Sequence, residues 1–129
     1  MTTHSFIGIE DESESISGVY CHYDGYIDSV GAMLKNHYTN RKKLKSLISL
    51  GSLSTLNKEI GQKHTLGSAE AVKNNWTHAY TRDRNEPLVI KKYNSMYDIS
   101  NEYEYAYVYT NKGYWLYRHN FGKSSWLPL

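Results

Sequence analysis

The chain has 129 residues, with 15 Lys and Arg against 13 Asp and Glu, for a formal net charge of +2. This length fits one domain around one core, and the charge is too small for a general polyanion binder and too positive for an acidic nucleic-acid mimic. A single cysteine excludes an internal disulfide, and the opening Met1-Thr2-Thr3-His4 lacks the basic and apolar regions of a secretory signal. No apolar run approaches the roughly 20 residues that a membrane helix needs.

The composition therefore predicts a soluble, cytoplasmic protein with no membrane span. Its one strong bias is 13 tyrosines beside 3 tryptophans and 2 phenylalanines. Tyrosine suits half-buried strands, and it also suits surfaces that bind flat polar ligands.

In chain order, Phe6 to Ile9 and Ile16 to Cys21 predict an opening hairpin around the polar stretch Glu10 to Ser15. Gly25 breaks the second strand. Asp28 or Ser29 can then cap a helix, running to about His37, in which Ile27, Val30, Leu34 and Tyr38 recur at spacings of three and four. Thr39-Asn40 caps a second helix, with Leu44, Leu47 and Ile48 opposite Arg41, Lys42, Lys43 and Lys45, and Gly51 as its stop. Ser52 to Gly67 reads as irregular, anchored by Leu53 and Leu56, with one helical turn between Ser54 and Glu59.

Trp76 to Thr81 predicts a third strand, Arg82 to Pro87 a loop, Leu88 to Ile90 a brief pairing segment, and Tyr93 to Asn101 a short helix. Tyr103 to Thr110 and Gly113 to Arg118 alternate around Asn111-Lys112 and predict a closing hairpin, with Tyr103, Tyr105, Tyr107 and Tyr109 on one face. Strands, two helices, then strands predict an α+β fold, an antiparallel β-sheet with a helical pair packed on one face. With no repeat or linker in sight, residues 1-129 read as one domain.

The segment Tyr20-Cys21-His22-Tyr23-Asp24-Gly25-Tyr26 carries the densest chemistry. Extended geometry places His22 and Asp24 on one face, where a carboxylate can orient an imidazole for acid/base work or anion binding, or simply pin the turn. Cys21 faces the other way as a core thiol. Arg82-Asp83-Arg84 follows a predicted strand, so alternation aims both guanidinium groups one way as a fork for phosphate or carboxylate, or leaves them as a solvated loop. The six histidines make no His-x3-His spacing, so neither a metal nor a cofactor is expected, and GxGxxG, P-loop, GxSxG and HExxH are absent.

Several short motifs stand in order along the chain. After Tyr20 to Tyr26 come Gly31 and Leu34, His37-Tyr38, Leu47-Ile48-Ser49-Leu50-Gly51, Leu53-Ser54, Ile60-Gly61-Gln62-Lys63-His64 and Arg82-Asp83-Arg84. Over about residues 4 to 118 this resembles a widespread family of small, mostly uncharacterised bacteriophage and prophage proteins. Its pattern reads YCHWDGY, then G and L, HY, LGDLSSLG, IGxKH and GRDRGE. Here Tyr23 replaces the Trp, Ser52 the Asp, and Asn57, Thr81 and Asn85 three glycines. The resemblance implies a phage-encoded accessory protein acting in the infected host cell.

Taken together, His22, Asp24, Tyr26, His37, Lys63, His64, Arg82 and Arg84 are the candidate ligand-binding residues, expected to converge on one cationic, aromatic pocket. Such a pocket suits a small anionic nucleotide-like ligand, with Arg82, Arg84 and Lys63 at phosphate and tyrosines stacking on a base. The leading expectation is an accessory protein that blunts host defence by binding, through sequestration of a nucleotide-derived immune signal. One alternative is direct inhibition of a host defence protein, such as a nuclease or CRISPR-type effector. Another is a metal-independent phosphodiesterase using His22 with His64 or His37. A homo-oligomer that completes the site across a two-fold interface is a further expectation.

Overall fold

A computed structural model describes residues 2–120 and 125–129. Strands β1 (Ser5–Glu10) and β2 (Ile16–Cys21) form the expected antiparallel hairpin. Its loop is held by the Asp11 carboxylate, which accepts the backbone N–H groups of Ser13 at 2.9 Å and Ser15 at 3.0 Å. A wide π-type turn, Ile27–Gly31, leads into helix α1 (Ala32–His37), and helix α2 (Arg41–Ile48) follows. Asn40 caps α2 by accepting the Lys43 N–H at 3.0 Å.

The second half is more broken: strand β3 (Leu53–Thr55), helix α3 (Ala69–Lys73), strand β4 (His78–Ala79), helix α4 (Tyr80–Arg84) and strand β5 (Lys91–Tyr93). A 3-10 turn at Met96–Asp98 precedes strands β6 (Tyr105–Tyr109), β7 (Trp115–His119) and β8 (Leu127–Pro128). The strands form one open sheet in the order β4-β3-β2-β1-β6-β7-β8, with β5 on β2. The outer edge of β2 is thus shared: β5 pairs with Ile16 to Gly18 and β3 with Cys21.

The mixed α+β class is as expected, but the sheet is not purely antiparallel. β6 runs parallel to β1 and β3 parallel to β2. The connections explain this: the helical stretch between β2 and β3 and the long excursion before β6 are crossovers, which return a strand in the same direction.

Alternation divides the sheet's side chains between two cores. Ile7, Val19, Cys21 and Tyr107 are buried in one core together with Leu34, Leu44 and Leu47 of the helices. Phe6, Ile16, Ala106 and Val108 are buried in the other with Met96, Ile99 and Tyr103. Central strands covered on both faces carry apolar residues at successive positions, as Phe6-Ile7 and Tyr107-Val108 do. Gly8 and Gly18 face each other across β1 and β2 because the Phe6 ring lies over them. A Cβ on Gly18 would stand 2.3 Å from Phe6 Cζ and 2.5 Å from the Ile7 carbonyl oxygen.

Four further expectations change. The helical turn between Ser54 and Glu59 gives way to β3, since Leu53 extends alongside Cys21. The third strand shrinks to two residues, and Tyr80 to Arg84 become helical. The brief pairing segment falls on β5, just after Leu88 to Ile90. Tyr103 leaves the tyrosine row, because β6 starts at Tyr105 and Tyr103 turns under Phe6, 5.3 Å from its ring.

Candidate functional site

The site grows from the join between β4 and α4. Pairing with Thr55 fixes His78 beside β3, and the chain turns helical at once. Asp83 folds back in the first turn of α4. One carboxylate oxygen, Oδ2, accepts the Ala79 N–H at 2.8 Å, and the other, Oδ1, accepts the His64 N–H at 3.1 Å. The neighbouring Arg82 donates Nε–H to Oδ1 at 3.0 Å and Nη2–H to Oδ2 at 3.1 Å. The same guanidinium reaches the carbonyls of Ile60 at 2.9 Å and Thr77 at 2.7 Å.

The segments Ile60-Gly61-Gln62-Lys63-His64 and Arg82-Asp83-Arg84, far apart in sequence, are therefore locked together. The Asp83 side chain has no exposed surface. Burial alone would raise its pKa, but the Arg82 guanidinium and the two backbone N–H groups outweigh it and hold the carboxyl below the ordinary range.

Above this lock sit two imidazoles and an indole. His64 Nδ1 is 2.7 Å from the Gln62 carbonyl, and His64 Nε2 is 3.3 Å from His78 Nδ1. The Trp76 ring lies 5.6 Å from the His64 ring. Gly61 makes room for it: with φ at +72°, an added Cβ would stand 2.4 Å from Trp76 Cγ. Thr55, Asn57, His64, Leu66, Trp76 and His78 are among the residues lining a cleft of about 320 Å³. Leu66 and Val72 form an exposed apolar lip, while burial pushes the His78 pKa down, with Asp83 opposing.

His64, His78 and Asp83 present ligand atoms within 4.8 Å of one another, a spacing a metal ion can bridge. The donor set does not suit one. A carboxylate offers about four lone-pair directions, and those of Asp83 meet the N–H groups of His64, Ala79 and, twice, Arg82. A cation would have to displace the Arg82 guanidinium to reach the carboxylate, or rest on two imidazoles alone, where zinc sites use at least three protein ligands.

Of the eight residues singled out in the sequence, His64 and Arg82 meet at this site. Lys63 is exposed beside His64. Arg84 does not join Arg82 in a fork, because on a helix residues two apart point to different sides. It pairs instead with Glu86 at 3.2 Å and lies 5.4 Å over the Tyr80 ring. Arg82 itself commits four of its five N–H donors to the lock.

His22 belongs to a separate aromatic cluster, hydrogen-bonded to Tyr20, stacked 5.0 Å from His4 and edge-on to Tyr23 at 4.6 Å. Burial, with His4 beside it, lowers the His22 pKa. Asp24 does not face His22, because the strand ends at Cys21 and Asp24 adopts a left-handed backbone with φ 58°. Gly25 serves close approach rather than positive φ, since a Cβ there would meet the Thr3 carbonyl oxygen at 2.8 Å. Tyr26 lies exposed, its ring edge-on to Tyr105, and His37 ends α1 with its carbonyl accepting Lys43 Nζ–H at 2.8 Å.

The eight residues thus do not share one cleft. Sequence reasoning missed Asn57, Trp76 and His78 as lining residues. Trp76 and His78, two apart at the entry to a predicted strand and alternating with Thr77, carried the signal.

Fold and site together define a mixed α+β protein, built on one open sheet, with a half-enclosed cleft of imidazole, indole and amide groups. No family model, no curated protein and no solved structure matches the chain.

Proposed function

We propose that this chain is a small-molecule binding protein whose cleft takes a flat, polar ring of nucleobase type. In this reading it works as a phage-encoded accessory protein that sequesters a nucleotide-derived signal of a host defence system. The observation that carries the reading is the cleft itself, where Trp76 supplies an aromatic wall and His64, His78, Asn57 and Thr55 supply polar groups. Convergent polar groups beside an aromatic wall are what a ligand pocket needs, and aromatic rings hold bases of any identity by stacking.

The reading departs from a phosphate-centred pocket. Arg82 is engaged with Asp83 and two carbonyls, and Arg84 with Glu86. Lys63 is the cation left beside His64 for a ligand phosphate. Recognition then rests on the base, with the sugar and phosphate toward the rim.

Calorimetry against a panel of cyclic and ADP-ribose-type nucleotides tests the proposal. Stoichiometric binding, with the ligand recovered intact after the protein is denatured, supports sequestration. A folded protein that binds no member of the panel refutes it, and recovery of altered ligand points to an enzyme.

A second reading, direct inhibition of a host defence protein, draws support from the exposed side chains of Leu66 at 62% and Val72 at 71% on the lip of the cleft. Co-purification from host lysate that survives Trp76→Ala but fails with Leu66→Asp and Val72→Asp favours it.

A further inference from the structure

The ring nitrogens around the cleft form a chain whose polarity is set at one end. The Gln62 carbonyl can only accept, so His64 Nδ1, 2.7 Å away, carries a proton and donates it. Neutral His64 then presents a bare Nε2. His78 Nδ1, 3.3 Å from that nitrogen, must be the donor in their contact.

Neutral His78 is left with a lone pair on Nε2, and this atom is buried with no hydrogen-bond partner among the described residues. His78 itself is 4% exposed and lines the cleft. A buried acceptor without a donor is costly, so its presence calls for an explanation. Asn57 offers a second acceptor. Its Nδ2 faces the Trp76 carbonyl at 2.9 Å, which fixes the amide orientation and leaves Oδ1 as an acceptor.

From this we infer that the cleft selects an amino-bearing nucleobase, whose exocyclic NH₂ donates to His78 Nε2 while its ring lies against Trp76. The inference rests on the cleft being a nucleobase site and adds which bases it takes. An exocyclic amine offers two hydrogens to two acceptors. A base with a carbonyl at that position sets lone pair against lone pair, and a phosphate does so more strongly. The proton chain is the selecting device: the fixed carbonyl of Gln62 sets the tautomer of His64, which sets that of His78.

Calorimetry with matched nucleosides provides the test, pairing adenosine with purine riboside and inosine, and cytidine with uridine. The expected result is that at least one amino-bearing member binds tenfold or more tightly than its amine-free partner. His78→Phe, checked for folding by circular dichroism, should retain ring binding and lose that preference. Asn57→Leu, which removes the second acceptor, should weaken it as a second variant.

Equal binding of amine-bearing and amine-free nucleosides overturns the inference and leaves the nucleobase reading standing. No binding of any nucleoside or nucleotide by folded protein overturns both.

Discussion

The Asp83 carboxylate accepts the backbone N–H of His64 at 3.1 Å across a separation of 19 residues. Through this bond the loop carrying Lys63 and His64 is fixed to the first turn of α4, and Arg82 ties the same loop again through the Ile60 carbonyl. Removing one member of a shielded ion pair leaves the other uncompensated, which typically costs about 3–5 kcal/mol. Asp83→Asn and Arg82→Ala should each destabilise the protein on that scale in urea unfolding. Arg84→Ala, at the exposed end of the same motif, should stay within about 0.5 kcal/mol. Equal costs for Arg82 and Arg84 would show that the lock is not what these residues provide.

Gly61 supports the cleft by what it lacks. Gly61→Ala places a methyl group against Trp76 in a backbone conformation that L side chains rarely adopt. The expected outcome is a shifted indole, read as a change in tryptophan fluorescence, together with weakened ligand binding. Gly67→Ala is the control, because its φ is also positive, at +76°, yet nothing lies within 4 Å of an added Cβ. It should lose some stability and leave the fluorescence unchanged.

Acid should weaken the fold in two stages. His78 and His22 are both held below the ordinary value of 6.5, chiefly by burial. The unfolded chain therefore takes up protons that the folded chain resists, so this stabilisation is complete above about pH 6.5 and is lost as pH falls below it. Asp83, held below 3.8, adds a lower window: its contribution is present above that value and disappears as pH falls through the folded pKa. Urea midpoints measured from pH 7.5 to 3 should decline in both windows, and His22→Gln should flatten the upper one. A constant midpoint between pH 7 and 5 would contradict the assignment.

Ligand affinity should follow the upper window with the same sign. Protonated His78 has no lone pair on Nε2, so affinity should hold through pH 6.5 and fall only at lower pH, where His78 titrates in the folded protein. Titration calorimetry at pH 7.5, 6.5 and 5 reads this directly, and an affinity that rises on acidification would exclude the acceptor role.

Gly18→Ala tests the packing of the hairpin. Overpacking a core typically costs about 1–3 kcal/mol, and here the new methyl meets a carbonyl oxygen of the neighbouring strand as well as a ring. The cost should lie at or above the top of that range. Phe6→Leu in the same chain should relieve part of it, since Phe6 Cζ is the nearest atom.

Much of the fold was legible where local signals agreed. The opening hairpin, the Asn40 cap of α2 and the closing hairpin each follow from periodicity bounded by turn residues. What failed was geometry set from a distance. Nothing local says that β6 lies beside β1, or that Leu53 extends because Cys21 offers an edge. A strand running to Thr81 offers Arg82 and Arg84 either as a fork or as a solvated loop, but the strand ends at Ala79. Once Tyr80 turns helical, the two arginines part, and one becomes structural. His78 escaped notice because its importance lies in its proximity to His64, which the intervening α3 conceals.

The parallel alignment of β1 with β6 also orders events in time. Residues 5 to 10 reach their central partner only when residues 105 to 109 arrive. During synthesis the opening hairpin must wait, with one edge of β1 unpaired, until residues 105 to 109 have emerged from the ribosome. Contacts of such long sequence separation slow folding, and waiting edges invite association with other chains. The centre of this sheet therefore closes only after the chain for the β2, β3, β4 and β5 side is complete.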